Sequence, residues 1–315
     1  MALNLELFAE RLRRSVLDVL WQQWHALSAQ AAGKGRAHAM VDPEALVMMS
    51  LILMDEERRL GDLIQSWTVQ NSDLLSVQRT KNLAADYPES ARQRLAWFAR
   101  IAVTQGKDMR WRSLSAHGTA TDRTATKSLR ANKKRAIRVR ASDPAALVLR
   151  LRLGFGVGAK ADVLGYLLGI AGEWASIRDI STATAYTVAG IRRAVEDMAA
   201  ARLIHSTAGP PAAYRADPET WSRVLGLAKG SPPWRNWHQR FAFVAAFLAW
   251  TKAARGVPLS VYAAGVRGRE LMEQHRSAFA PDVVEVWSEH TPVTDWLEFV
   301  ENAVSALAVW MPAHA

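Results

Sequence analysis

At 315 residues, half of them hydrophobic, the chain is long enough for about two domains with buried cores. It has no cysteine, which excludes disulfides, thiolate metal sites and a thiol nucleophile. A net charge of +10 makes polyanions the natural partners, and the longest apolar run, Phe241 to Trp250, is about half of what a membrane span needs.

Acids and bases interrupt the apolar pattern from Met1 to Leu20, so no secretory leader is expected, and the expected location is the cytoplasm. Leu5, Phe8, Leu12, Val16, Val19, Trp24 and Leu27 recur at helical spacing and predict one long amphipathic helix. Asp42-Pro43-Glu44 then supplies a cap, a first-turn proline and an early acid before a helix over Ala45 to Met54. Helices are expected over Asp55 to Trp67, Ser76 to Ala85 and Ser90 to Val103, making residues 1–105 a helical domain.

From Lys107 to Arg140 the chain carries eleven Lys or Arg against Asp108 and Asp122, a net of +9, so most of the charge is local. Lys107, Arg110 and Arg112 surround Trp111, and a second cluster follows at Arg123, Lys127, Arg130, Lys133, Lys134, Arg135, Arg138 and Arg140. Large apolar residues nearly vanish between Leu114 and Leu129, so residues 106–142 read as a linker or arm that cannot bury enough surface to offset its ordering entropy. The spacing of Lys127, Arg130, Lys134 and Arg138 would give one positive face if helical, a form suited to phosphates.

Leu147 to Leu153 followed by Gly154-Phe155-Gly156-Val157-Gly158 invites a strand, glycine loop and helix of the nucleotide-binding kind. Arg150 and Arg152 would spoil such a central strand, and Lys160 precedes Ala161 rather than Ser or Thr, so a hinge is the simpler reading. Ala161 to Gly169 predicts a helix, Glu173 to Ser176 an extended link, and Ile177 to Thr184 a second helix. After a turn, Thr187 caps a third helix with Val188, Ile191, Val195 and Met198 facing the core and Arg192 and Arg193 outside, with Glu196 in reach of either arginine. Leu203-Ile204-His205 and Ala213-Tyr214-Arg215 flank a Gly209-Pro210-Pro211 turn as a small hairpin.

This order, with SIRDISTATAYTV from Ser176 to Val188 and VEDMAAARLI from Val195 to Ile204, resembles the winged helix-turn-helix of ArsR- and MarR-like prokaryotic transcription regulators. Such regulators often carry Gly where Arg202 stands. The resemblance implies a DNA-reading domain over residues 143–228, whose helix from Thr187 enters the major groove while the hairpin reaches the backbone or minor groove. Small residues at Thr187, Ala189 and Gly190 suit close approach to base edges, and Arg192 or Arg193 suits a guanine edge or phosphate. Arg178, Tyr186 and Arg215 complete the expected DNA-binding set, with Arg130, Lys133, Lys134, Arg135, Arg138 and Arg140 of the arm holding the backbone.

Residues 229–315 read as a tryptophan-rich helical region, since seven of the thirteen tryptophans lie from Trp221 onward, and large rings are ordinary core material. The eight histidines form no metal-binding pair at helical spacing and no nucleophile elbow occurs, so neither an enzyme, a metal nor a cofactor is expected. The expected fold is mainly α: a helical N-terminal domain, a central winged helix-turn-helix and a helical C-terminal region. The expected function is sequence-specific binding of double-stranded DNA and transcription regulation, chiefly repression, by a homodimer, in the manner of antitoxin or phage-defence regulators. Two alternatives stand beside it: an antitoxin-like module that wraps a toxin or defence partner, and a single-stranded nucleic-acid binder in which Trp111 stacks on a base.

Overall fold

The computed structural model describes residues 5–28, 35–116, 139, 141–255, 260–279, 283 and 293–315. The basic positions Arg123, Lys127, Arg130, Lys133, Lys134, Arg135, Arg138 and Arg140 lie outside the described residues. The described chain is mainly helical, with three short antiparallel strands. No helix among the described residues is long and apolar enough to cross a membrane.

The N-terminal helices are α1 (Leu5–Ala26), α2 (Pro43–Leu53), α3 (Arg58–Asn71), α4 (Val77–Ala84) and α5 (Glu89–Thr104). Their boundaries have local causes. The Asp42 carboxylate accepts from the Ala45 amide at the start of α2, and the Ser76 hydroxyl from the Arg79 amide at the start of α4. A 3-10 turn (Met109–Trp111) and α6 (Arg112–Ser115) follow, so the first basic cluster belongs to the folded part. Trp111 is fully buried with its ring 5.0 Å from that of Phe98, a core position rather than a platform open to a base. Arg110 donates to the Asp108 carboxylate and to the carbonyls of Ser72 and Leu75, while Lys107 donates to the Thr104 carbonyl at the end of α5.

The apolar run from Leu147 is helix α7 (Leu147–Phe155), not a strand. It ends at Gly156, whose φ of +82° favours a residue without a side chain. Next come α8 (Ala159–Gly169), β1 (Ala175–Ser176), α9 (Ile177–Thr184), α10 (Val188–Ala200), β2 (His205–Ser206), β3 (Ala213–Arg215) and α11 (Pro218–Leu225). The strands form one sheet in the order β1-β3-β2, with Ala175 opposite Tyr214 and His205 opposite Arg215. The link before α9 thus closes onto the hairpin that follows α10, and Tyr214 points into the core while Arg215 points out.

That core is separate and contiguous: Leu147, Leu151, Leu164, Leu167, Ile180, Ile191, Val195, Met198, Ile204 and Trp221 share it, with Met40 from the N-terminal region. Val188 departs from the expected pattern. It is 48% exposed, because the first turn of α10 projects past the edge of the core that Ile191, Val195 and Met198 enter.

The C-terminal helices are α12 (Trp237–Ala253), α13 (Val261–Gln274) and α14 (Val293–His314). Residues 229–315 read in sequence as their own domain, yet α14 lies along α1, α12 packs on α2, and all share one apolar core with α3 and α5. The extended segment before α2 joins the three parts: the amides of His38, Met40 and Val41 donate to the carbonyls of Ala315, Pro233 and Ala145. Backbone groups in a buried connection need such partners.

Candidate nucleic-acid interface

Helix α9 starts at a capping box in which the Ser176 hydroxyl accepts from the Asp179 amide and the Asp179 carboxylate accepts from the Ser176 amide. It ends at Ala185, in the left-handed region at φ +56°, and the Ser181 hydroxyl donates to the Tyr186 carbonyl 2.7 Å away. Thr187 then caps α10 by accepting from the Gly190 amide at 3.2 Å. These local bonds fix a tight turn and aim the N-terminus of α10 outward.

Thr187, Val188, Ala189, Arg192 and Arg193 lie toward solvent on one face of α10, and Ile191, Ala194, Val195 and Met198 are buried on the other. Neither arginine is paired with Glu196 or with any other acid among the described residues; the ion pair nearest in sequence joins Lys160 to Asp197 at 2.8 Å. Among the described residues, nothing occupies the two guanidiniums, which face solvent. Arg178 stands near the start of α9 and borders a cleft shared with Gln239 and Ser277 of the C-terminal region. Arg215 lies over the Trp174 ring at 4.8 Å, so β3 presents a guanidinium held against an exposed indole.

Tyr186 is placed differently from the other described residues of the expected DNA-binding set. It is partly buried and its hydroxyl donates to the Asp162 carboxylate at 3.0 Å. Burial pushes the phenol pKa up, and the facing Asp162 carboxylate pushes it further. Its hydroxyl is thus directed into the protein.

Asp162 is one end of a buried chain of alternating charge. Arg152 donates through Nε and Nη2 to the two Asp162 oxygens, at 2.8 and 2.7 Å, and through Nη1 and Nη2 to Glu44, at 2.6 and 3.0 Å. Arg79 donates through Nη1 to Glu44 at 2.7 Å and through Nη2 to Asp42 at 2.6 Å. Remaining groups go to backbone: Arg152 Nη1 to the Leu74 carbonyl, Glu44 to the Ser76 amide, and Arg79 Nε to the Thr184 carbonyl at 2.7 Å. Every charged member is at most 3% exposed at its side chain. Burial alone would raise the Asp42 pKa, but Arg79 overrides it and holds the carboxyl down to about 2. His238, 3.8 Å from Asp42, is held down to about 4 by burial, against the opposing pull of that carboxylate.

In sequence, Asp42 and Glu44 are helix-start signals and Arg152 is a blemish in an apolar run. The structure joins all three, with Arg79, beneath the turn that precedes α10. A second support is Asn82, whose amide donates to the Ala185 carbonyl at 2.8 Å. No group of three or more His, Asp or Glu suited to a metal ion occurs among the described residues. Comparison with protein-family models, with curated proteins and with solved structures finds no match to this chain.

Proposed function

We propose that residues 143–228 act as a winged helix-turn-helix that binds double-stranded DNA sequence-specifically and regulates transcription, acting as a repressor in the cytoplasm. The observation that carries this reading is the outward face of α10, where small Thr187 and Ala189 stand beside Arg192 and Arg193, which have no acidic partner among the described residues. Small residues at a helix N-terminus let the backbone approach base edges, and a guanidinium one turn further matches the two acceptors of guanine. The sheet order supports the same reading, because pairing β1 with β3 closes the domain and leaves the β2-β3 hairpin projecting with Arg215 outward. Arg178 and Arg215 serve the phosphates on either side, and Tyr186 serves from within by anchoring the turn.

In this reading the arm residues Arg130, Lys133, Lys134, Arg135, Arg138 and Arg140 supply sequence-independent affinity, and α10 supplies choice. The division is testable. Replacing Arg192 and Arg193 together by Ala lowers discrimination between an operator and a scrambled duplex by about 1–3 kcal/mol for each base that is no longer read. Neutralising Lys133, Lys134 and Arg135 weakens both duplexes alike and flattens the salt dependence by about 0.9 in slope for each phosphate that is no longer neutralised. A triple variant that selectively failed to bind the operator would mean that the arm reads bases, and would overturn the assignment.

A further inference from the structure

The three consecutive residues that lead into α10 are each gripped from a distant part of the chain. Arg79 Nε donates to the Thr184 carbonyl, Asn82 Nδ2 donates to the Ala185 carbonyl, and the Tyr186 hydroxyl donates to Asp162 on α8. Carbonyls at the end of a helix have no partner within it and are commonly left to water or to a glycine-based cap. Here two side chains of α4, 105 and 103 residues away in sequence, take them instead. Both gripping groups are themselves fixed. Arg79 is also bonded to Asp42 and Glu44, and the Asn82 carbonyl oxygen accepts from Gln78 at 2.9 Å, which turns its amide nitrogen toward Ala185.

We infer that Arg79, Asn82 and Tyr186 are positioning residues for DNA recognition: through them α2, α4 and the buried charge chain set the angle at which α10 is presented. This rests on the reading of α10 as the recognition helix. The physical reason is that the chain cannot yield in part. Moving the turn separates Arg79 from Thr184 or from its two carboxylates, and a buried charge left without its partner is strongly unfavourable. The turn is thereby held in one place by groups belonging to the N-terminal core, in the way that supporting side chains hold a binding group to its productive geometry. The orientation of α10 is set by the N-terminal helices as well as by its own domain.

Two variants test this, Asn82→Ala and Tyr186→Phe, each removing one grip while sparing the charged members and, for Tyr186, the ring. Hydrogen exchange on the free, full-length protein reads the hold directly. The account expects the amides of residues 185–193 to exchange roughly fivefold to tenfold faster in each variant, as the loss of one hydrogen bond implies, with α1, α5 and α14 unchanged. Titration with operator and scrambled duplexes then reads the consequence: discrimination falls several-fold, while affinity for scrambled DNA and its salt slope stay as in the wild type. Unchanged exchange in both variants would overturn the inference, and so would faster exchange with undiminished discrimination. A wild-type protein that binds both duplexes equally would overturn the recognition role together with the proposed function. The exchange result, which needs no DNA, would still show whether the turn is held from α4.

Discussion

Replacing Arg152 by Met retains most of the side chain's length and removes only the guanidinium, so it isolates the electrostatic part of the buried chain. The structure indicates where the damage falls. Arg152 makes two hydrogen bonds to Glu44, two to Asp162 and one to the Leu74 carbonyl. Without them Glu44 keeps Arg79 and the Ser76 amide, but Asp162 keeps, among the described residues, only the Tyr186 hydroxyl. A buried carboxylate is left nearly uncompensated, which costs about 3–5 kcal/mol, a large part of the about 5–15 kcal/mol that holds a folded protein together. Urea denaturation followed by circular dichroism measures the deficit. A deficit below about 1 kcal/mol would refute the claim that Arg152 neutralises this site.

Two further expectations concern stability. Arg202 closes α10 in a Schellman arrangement, with its amide donating to the Ala199 carbonyl and the Leu203 amide to that of Met198, and its φ of +57° is unfavourable for a residue with a side chain. Arg202→Gly raises stability by about 1 kcal/mol, read as a higher urea midpoint, and a lower midpoint would contradict the assigned strain. His238 takes up its proton near 4 when folded and near 6.5 when free, so its contribution is complete above the higher value and is lost as pH falls toward the lower. The difference amounts to about 3 kcal/mol, and a His238→Asn variant loses that part of the acid dependence; an unaltered slope between the two values would exclude the role.

Much of the local structure was legible because its causes are local. Asp42-Pro43 and Thr187 mark helix starts through side chains that bond to amides three residues on, and the structure places helices where those signals stand. The outward placement of Arg192 and Arg193 followed from helical period alone. Val188 shows the limit of that rule, since periodicity identifies a face but not how far the core extends beneath it. The run from Leu147 to Leu153 shows another, because a short apolar stretch suits a buried helix and a buried strand equally. The buried charge chain was out of reach altogether: Glu44 and Arg152 are 108 residues apart, and no spacing rule relates them. The same holds for the shared core of α1 and α14, where the apolar faces are visible in sequence but not their pairing.

The most direct test of the account is a titration of the full-length protein with its own upstream DNA and with a scrambled duplex of equal length and composition, each at two salt concentrations. The account predicts tighter binding to the upstream sequence at both salts, with affinity for the scrambled duplex falling steeply as salt rises. Equal affinity for the two duplexes would contradict sequence reading by α10.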